Sequence, residues 1–207
     1  IKSYTFGYKD SRYDERESAK KISNYLDIKN YNSELNYEDI DKLFLKTLRA
    51  HDEPFTSIRQ LSHLKLYLDF KNESTVIMES SGGDEIGAGY KGFIWPNYLD
   101  QSLQKGQEKA YEFFKKCAYK RDITNLEEFI SQISLNWECY GLSTSDGYHA
   151  SGIKYIKDIY LLQDRRSNYK ELLNLPFKSS LRNAQLLELQ KTKLPRGLRY
   201  IDRSSSF

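Results

Sequence analysis

"TVIMESSGGDEIGAGYKGF", residues 75–93, is the stretch on which the reading of the fold turns. An apolar run from Thr75 to Met78 breaks into glycines set around two adjacent carboxylates, Asp84 and Glu85. A short continuous apolar run bounded by turn residues suits a strand covered on both faces, as in a parallel sheet. Working back from it, Ser3 to Tyr8 is rich in β-branched and aromatic residues and reads as a strand ending at Lys9, Asp10 and Ser11. A helix follows, because Asp14 with Glu17 forms a capping-box-like start and Ala19, Ile22, Tyr25 and Leu26 recur at helical spacing. An extended piece from Tyr31 to Leu35 leads to Asn36, suited to cap a helix striped by Ile40, Leu43, Phe44, Thr47 and Leu48. Ser57 or a neighbour caps a third helix, with Leu61, Leu64 and Leu68 on its buried face. Strand, helix, strand, helix, helix, strand is the order of an α/β domain with a mainly parallel sheet. Ligands of such sheets bind outside the carboxyl ends of the strands, where residues 79–90 fall.

Beyond Asn97 the periodicity is helical. Tyr98, Leu99 and Leu103, then Tyr111, Phe114 and Ala118, then Leu126, Phe129, Ile130 and Ile133 make successive apolar stripes. "GLSTSDGYHASG", residues 141–152, reads as a loop, after which "IKYIKDIYLLQDRR" and "SSLRNAQLLELQKTKL" return to helix. An α/β part over residues 1–95 followed by a mostly helical part over 96–207 is the expected organisation.

Composition bounds the function classes. At 207 residues with 39 % apolar, 29 % charged and 14 % aromatic residues, the chain has enough apolar surface to bury a core and suits one compact domain. Its 32 basic and 29 acidic side chains are interspersed, so the net charge of +3 makes no field for nucleic acid, even counting "LQDRRSNYK" and "KLPRGLRYIDR". Cys117 and Cys139 have no second pair and no histidine at ligand spacing, which points to reduced thiols and away from zinc or a disulfide scaffold. His51, His63 and His149 lie in unrelated contexts and read as surface or helix-packing residues. No apolar run approaches the roughly 20 residues that span a bilayer, and the start has no signal-peptide progression. No membrane partner and a cytoplasmic location are expected, and nothing in the sequence opposes an oligomer.

Gly82, Gly83, Gly87 and Gly89 permit positive φ and close approach of backbone N–H groups to a phosphate. Asp84 and Glu85 would repel a polyphosphate unless a divalent cation lay between, and Mg²⁺ takes a few carboxylate oxygens and completes its shell with water and phosphate. The alternative is a glycine-rich turn whose Asp84 caps a short helix. "SSGGDE" also looks like the Ser-Gly-Gly-x-Asp-Ser loop of ATP pyrophosphatases, but its acid follows the second glycine at once and no Ser comes after it.

Taken in order, "SYTFGY", "YDERESAKKI", "HDEPF" at 51–55, "VIMESSGGDEIGAGYKGF" and "TKLPRGLRYIDRSSSF" at 192–207 resemble the synthetase domain of glutamine-hydrolysing asparagine synthetases. The resemblance is most specific at "DEPF", "GGDEIGAGY" and "LPRGLRYIDRSS", and covers almost the whole chain. It implies an α/β fold of the ATP pyrophosphatase, or adenine nucleotide alpha hydrolase-like, type. It implies a reaction in which ATP activates the side-chain carboxylate of aspartate as an acyl-adenylate, and ammonia from glutamine displaces AMP. ATP and Mg²⁺ are the cofactors so implied, and electrostatic preorganisation the device.

Carried over by resemblance, Asp84 matches the Mg²⁺-pyrophosphate ligand and Glu85 belongs to the same signature. Phe6 and Gly7 match backbone positions that hold adenine, and Glu79 and Ser80 match residues flanking the nucleotide, with Gly82 and Gly83 in the same loop. Ser80 stands where many members have Gly. Ser81 stands where amide-forming members carry Glu or Gln near the reacting carboxylate; it can hydrogen-bond but is no acid or base near neutral pH. Asp52 and Glu53 either organise the site or cap the helix near Ser57. Arg203, in an Asp-Arg-x-Ser signature with Asp202 and Ser205, either faces phosphate or pairs with Asp202.

The glutaminase domain and the Ser-Gly-Gly-x-Asp-Ser loop of the family are not in this chain, so the expectation is an internal piece of a larger enzyme, itself a poor catalyst. Two other readings stand beside it. One is a related amidotransferase or β-lactam-synthetase-like ligase acting on another carboxylate, for which Ser81 is the support. The other is a non-catalytic remnant that binds nucleotide or a partner.

Overall fold

The computed structural model describes residues 1–9, 14–55, 57–119, 125, 127–128, 131, 176–191 and 193–207. The expected stripe at Leu126 to Ile133, the loop at 141–152, the helix that follows it, His149 and Cys139 lie outside these. The described residues divide into two compact units, Ile1–Glu79 with Gly197–Phe207, and Ser80–Arg196. The class is α/β: one small parallel sheet accompanied mostly by helices.

In the first unit, β1 (Lys2–Tyr8) and β2 (Lys29–Leu35) pair in parallel, in a register running from Lys2 opposite Lys29 to Tyr8 opposite Leu35. Parallel neighbours need a crossover, and α1 (Arg16–Tyr25) supplies it. α2 (Ile40–His51) and α3 (Arg59–Asp69) follow. Leu35, Leu43 and Leu61 form the core, with Tyr8, Ile40, Phe55 and Leu68 packed against it. The helical spacing expected in α2 and α3 is therefore borne out at Leu43, Thr47, Leu61 and Leu64, all buried. Asp52, at φ 53°, ends α2 in the left-handed region that Asp tolerates better than most residues. Ser57 accepts a hydrogen bond from the Arg59 N–H at 3.2 Å at the start of α3.

Other expectations fail here: Asn36 precedes a 3-10 turn, Tyr37–Asp39, without a side-chain capping bond, and Phe44 of the α2 stripe is 45 % exposed. Thr75 to Met78 is not a strand, and its side chains are not covered: Val76 is 79 % and Met78 94 % exposed. An extended run becomes a strand only where a neighbouring backbone takes its N–H and C=O groups, and among the described residues no ladder reaches it. The stripe of α1 also faces outward, with Ile22, Tyr25 and Leu26 all more than half exposed. Two strands about 4.8 Å apart offer a strip no wider than one helix. α1 meets it through its small residue Ser23, whose hydroxyl lies 3.0 Å from that of Ser3.

The second unit holds α4 (Gly83–Ile86), α5 (Ile94–Lys105), α6 (Gln107–Tyr119) and α7 (Ser180–Gln190). α8 (Lys193–Ser206) begins in this unit and continues in the first from Gly197. α5 and α6 meet at Gly106, whose φ of +84° reverses the chain. Rings of Trp95, Tyr98 and Phe114 fill their seam at centroid separations of 5.1 to 6.4 Å. Phe114 and Ala118 are buried as their spacing predicts, whereas Leu103 and Tyr111 lie beyond that seam and are exposed. Asp100 on α5 caps α7, accepting from the Ser179 hydroxyl at 2.6 Å and the N–H groups of Ser180 and Leu181 at 2.7 and 3.0 Å. No helix of the described residues is long and apolar enough to cross a membrane.

Candidate functional site

The residues singled out from the sequence fall in both units. Phe6, Gly7, Glu79 and Arg203 belong to the first, and Ser80 through Glu85 to the second.

In the second unit the loop is built around Gly82 and Gly89. Gly82 precedes α4 with φ +102°, a conformation in which a side chain is strained. Asp84 therefore lies within the first turn of α4 and does not cap it. Its carboxylate is exposed and folds back over Gly89: a Cβ on Gly89 would collide with Asp84 Oδ1 and come within 2.9 Å of its Cγ. The Gly89 N–H closes the turn by donating to the Asp84 carbonyl at 2.7 Å. Between them Ala88 takes φ +52° without being glycine.

Glu85 has the opposite environment. It is 3 % exposed, and Tyr90 donates its hydroxyl to Glu85 Oε1 at 2.9 Å. Gln185 from α7 donates through Nε2 to the backbone carbonyls of Glu85 and Ile86 at 3.1 and 2.6 Å, tying down the end of α4. The Lys193 ammonium sits 3.0 Å from the centroid of the Tyr90 ring. Two adjacent carboxylates thus part company: Asp84 faces solvent and Glu85 is pinned inside. Ser80, Ser81 and Gly83 are exposed beside Asp84, and Gly82 is buried. Among the described residues no three His, Cys, Asp or Glu converge as a metal cage.

In the first unit Phe6 is half-buried, its ring 5.1 Å from His63 and 5.9 Å from Tyr8. Gly7 is buried beneath Arg16: a Cβ there would strike the guanidinium and lie 2.6 Å from Asp14 Oδ1. Arg16 pairs with Asp14 at 2.7 Å and Glu34 at 2.6 Å, which raises its already high pKa, while the hydrogen bonds from Arg16 hold Asp14 below the usual carboxylate range. Glu79 is exposed and accepts a 2.6 Å hydrogen bond from Tyr67, which is only 7 % exposed. Burial, then the bond to Glu79, pushes the Tyr67 phenol upward. Burial, helped by Arg59, pushes His63 down to about 4.

Glu53 lies 2.8 Å from the Arg199 guanidinium. Arg203 is half-buried and, among the described residues, forms no ion pair with Asp202 or another acid. Its charge is felt by His51, whose pKa is lowered chiefly by burial.

Sequence reasoning missed Tyr67, His63, Gln185 and Lys193. Tyr90 and Gly89 lay inside the quoted motif, and their role follows from contacts within five residues of Asp84 and Glu85. Gln185 stands 100 residues from Glu85, and no local pattern signals such a pairing.

The family model for asparagine synthase matches residues 1–207, the whole chain. No curated protein and no solved structure matches it.

Proposed function

Because this chain belongs to the asparagine synthase family, we propose that it serves an ATP-dependent, amide-forming ligase whose carboxylate substrate is aspartate and whose fold is of the ATP pyrophosphatase type. A carboxylate oxygen attacks the α-phosphorus of ATP, the bond to the β-phosphate breaks, and pyrophosphate leaves. Ammonia, supplied from glutamine, then attacks the acyl carbon and expels AMP.

The observation that carries this reading is the split between Asp84 and Glu85. Charge that must meet a polyphosphate through a cation has to be accessible, and Asp84 is exposed on a glycine-bounded turn. Charge that shapes the turn has to be held, and Glu85 is buried against Tyr90. One exposed carboxylate fits Mg²⁺, which dehydrates reluctantly and keeps water and phosphate oxygens in its shell. When bound, Mg²⁺ neutralises charge on the departing pyrophosphate. Asp84 would hold it, with Ser80, Ser81, Gly82 and Gly83 lining the same turn; in the first unit, Phe6, Gly7, Glu79 and Arg203 stand at the positions that the family resemblance gives to the nucleotide.

A related ligase acting on a different carboxylate is the second reading, favoured by the exposed hydroxyl of Ser81 in place of the acid or amide that the resemblance calls for. The test is pyrophosphate exchange into ATP with a panel of carboxylates, aspartate first, beside Asp84→Asn. Aspartate-dependent exchange that Asp84→Asn loses by at least tenfold supports the first reading, exchange with another acid alone supports the second, and no exchange with any acid together with no binding of Mg²⁺-ATP defeats both.

A further inference from the structure

Thr47 and His51 stand one turn apart on the same face of α2, and both side chains are fully buried. Ser204 takes up only Nε2 of the imidazole, at 2.9 Å. Nδ1 of His51 and Oγ1 of Thr47 have no hydrogen-bond partner among the described residues. Two such atoms on neighbouring side chains are costly, because a buried polar group forfeits its hydration and needs a partner in exchange. A helix sets Cβ atoms four residues apart at about 5–6 Å. That is the span which one water molecule closes with two hydrogen bonds of about 2.8 Å each.

The groups around the ring set the chemistry of the guest. Nε2 either donates to the Ser204 hydroxyl or accepts from it, so Nδ1 is an acceptor in one tautomer and a donor in the other. A guest that serves both must donate and accept. Charges of both signs bear on His51: Arg199 and Arg203 from α8 oppose a cation beside it, and Glu53, just beyond α2, opposes an anion. Glu53 is itself met by Arg199 at 2.8 Å and needs no further partner for its charge. The rings of Tyr200 and Phe55, centred 5.0 and 6.1 Å from the imidazole, add apolar walls. We propose that a single neutral water molecule is bound between Thr47 Oγ1 and His51 Nδ1, so that a relay from Thr47 through water and His51 to Ser204 joins α2 to the later part of α8. All of these residues belong to the first unit, and the site is independent of the ATP-dependent reading above.

The experiment combines urea titration with magnetic relaxation dispersion of water oxygen, which counts long-lived internal waters, on wild type, Thr47→Val and Thr47→Ser. Val copies the shape of Thr without its hydroxyl, so the sign of its effect is decisive. Where Thr47 is stranded, Thr47→Val removes a costly group and raises the urea midpoint. Where Thr47 holds a water, Thr47→Val strands that water and His51 Nδ1, and the midpoint falls. The expected result is the second: a rise of roughly tenfold in the unfolding equilibrium constant for Thr47→Val. The dispersion amplitude of one internal water should vanish with it, and Thr47→Ser should keep that amplitude. A Thr47→Val midpoint equal to or above wild type overturns the proposal. A lower midpoint with unchanged dispersion also overturns it, since that is a packing defect alone. If Thr47→Val does not fold, Thr47→Cys, whose thiol bonds weakly, supplies the same dispersion readout, and an amplitude equal to wild type overturns the proposal there too.

Discussion

His51 and Ser204 share a hydrogen bond of 2.9 Å between Nε2 and Oγ across 153 residues of chain, both side chains fully buried. The imidazole stacks 5.0 Å from the Tyr200 ring and closes the end of α2 against the later part of α8. Among the described residues Nδ1 of His51 has no hydrogen-bond partner, so the bond to Ser204 is the one that offsets the burial of the ring's polar atoms. Ser204→Ala should therefore cost about 1–3 kcal/mol, the usual penalty for stranding a buried polar group. His51→Ala, which also opens a cavity, should cost about 3 kcal/mol. Urea titrations would measure both, and midpoints unchanged from wild type would remove this contact from the forces that hold α8.

Acid should destabilise the first unit through its buried histidines. Both His51 and His63 are lowered in the folded state, chiefly by burial, His63 to about 4. The unfolded chain takes up these protons near pH 6.5, so it binds more protons than the folded one between about pH 6.5 and 4. The stabilisation is fully present above pH 6.5 and is lost as pH falls through that window, by no more than about 3 kcal/mol for His63. His63→Gln should flatten the fall in melting temperature between those pH values, and a slope equal to wild type in that variant would assign the effect elsewhere.

Gly89 is required by the carboxylate resting on it. Gly89→Ala places a methyl where Asp84 Oδ1 now sits and 3.2 Å from Asp84 Cα, so Asp84 must turn away. Mg²⁺-nucleotide affinity should fall about as far as in Asp84→Asn, on the order of tenfold. Gly197→Ala, inside α8 with open space around its Cα, should instead raise stability by about 1 kcal/mol. Nucleotide titration of Gly89→Ala with full wild-type affinity would show that the seat of Asp84 does not govern binding.

Asp100→Ala should loosen α7. Burial opposes the Asp100 charge, but the Ser179 hydroxyl and the N–H groups of Leu181 and Ser180 outweigh it and hold the carboxyl below its ordinary value. Losing three hydrogen bonds at a helix N-terminus should cost about 2 kcal/mol or more. The contribution is present above the ordinary carboxylate pKa and fades as pH falls below it. Amide exchange across Ser180–Gln190 should accelerate in the variant, and protection equal to wild type would count against the cap.

The sequence by itself determined what neighbours along the chain can determine. Period-two and helical spacing located β1, β2, α2 and α3, and the glycines around Asp84 marked a turn that needs positive φ at Gly82. The order of short motifs carried the family. Tertiary structure decided the rest, because burial and pairing belong to whatever packs against a residue. The same apolar character that buries Leu61 and Leu64 leaves Ile22 and Val76 outside, since α3 has β1, β2 and α2 against it, whereas Val76 has no ladder and α1 touches the sheet through Ser23. Asp84 and Glu85 are chemically alike and adjacent, yet only folding turns one to solvent and closes Tyr90 over the other. The grip of Tyr67 on Glu79, of Gln185 on α4 and of His51 on Ser204 each joins residues that no local periodicity relates, so each arises only once the chain has closed upon itself.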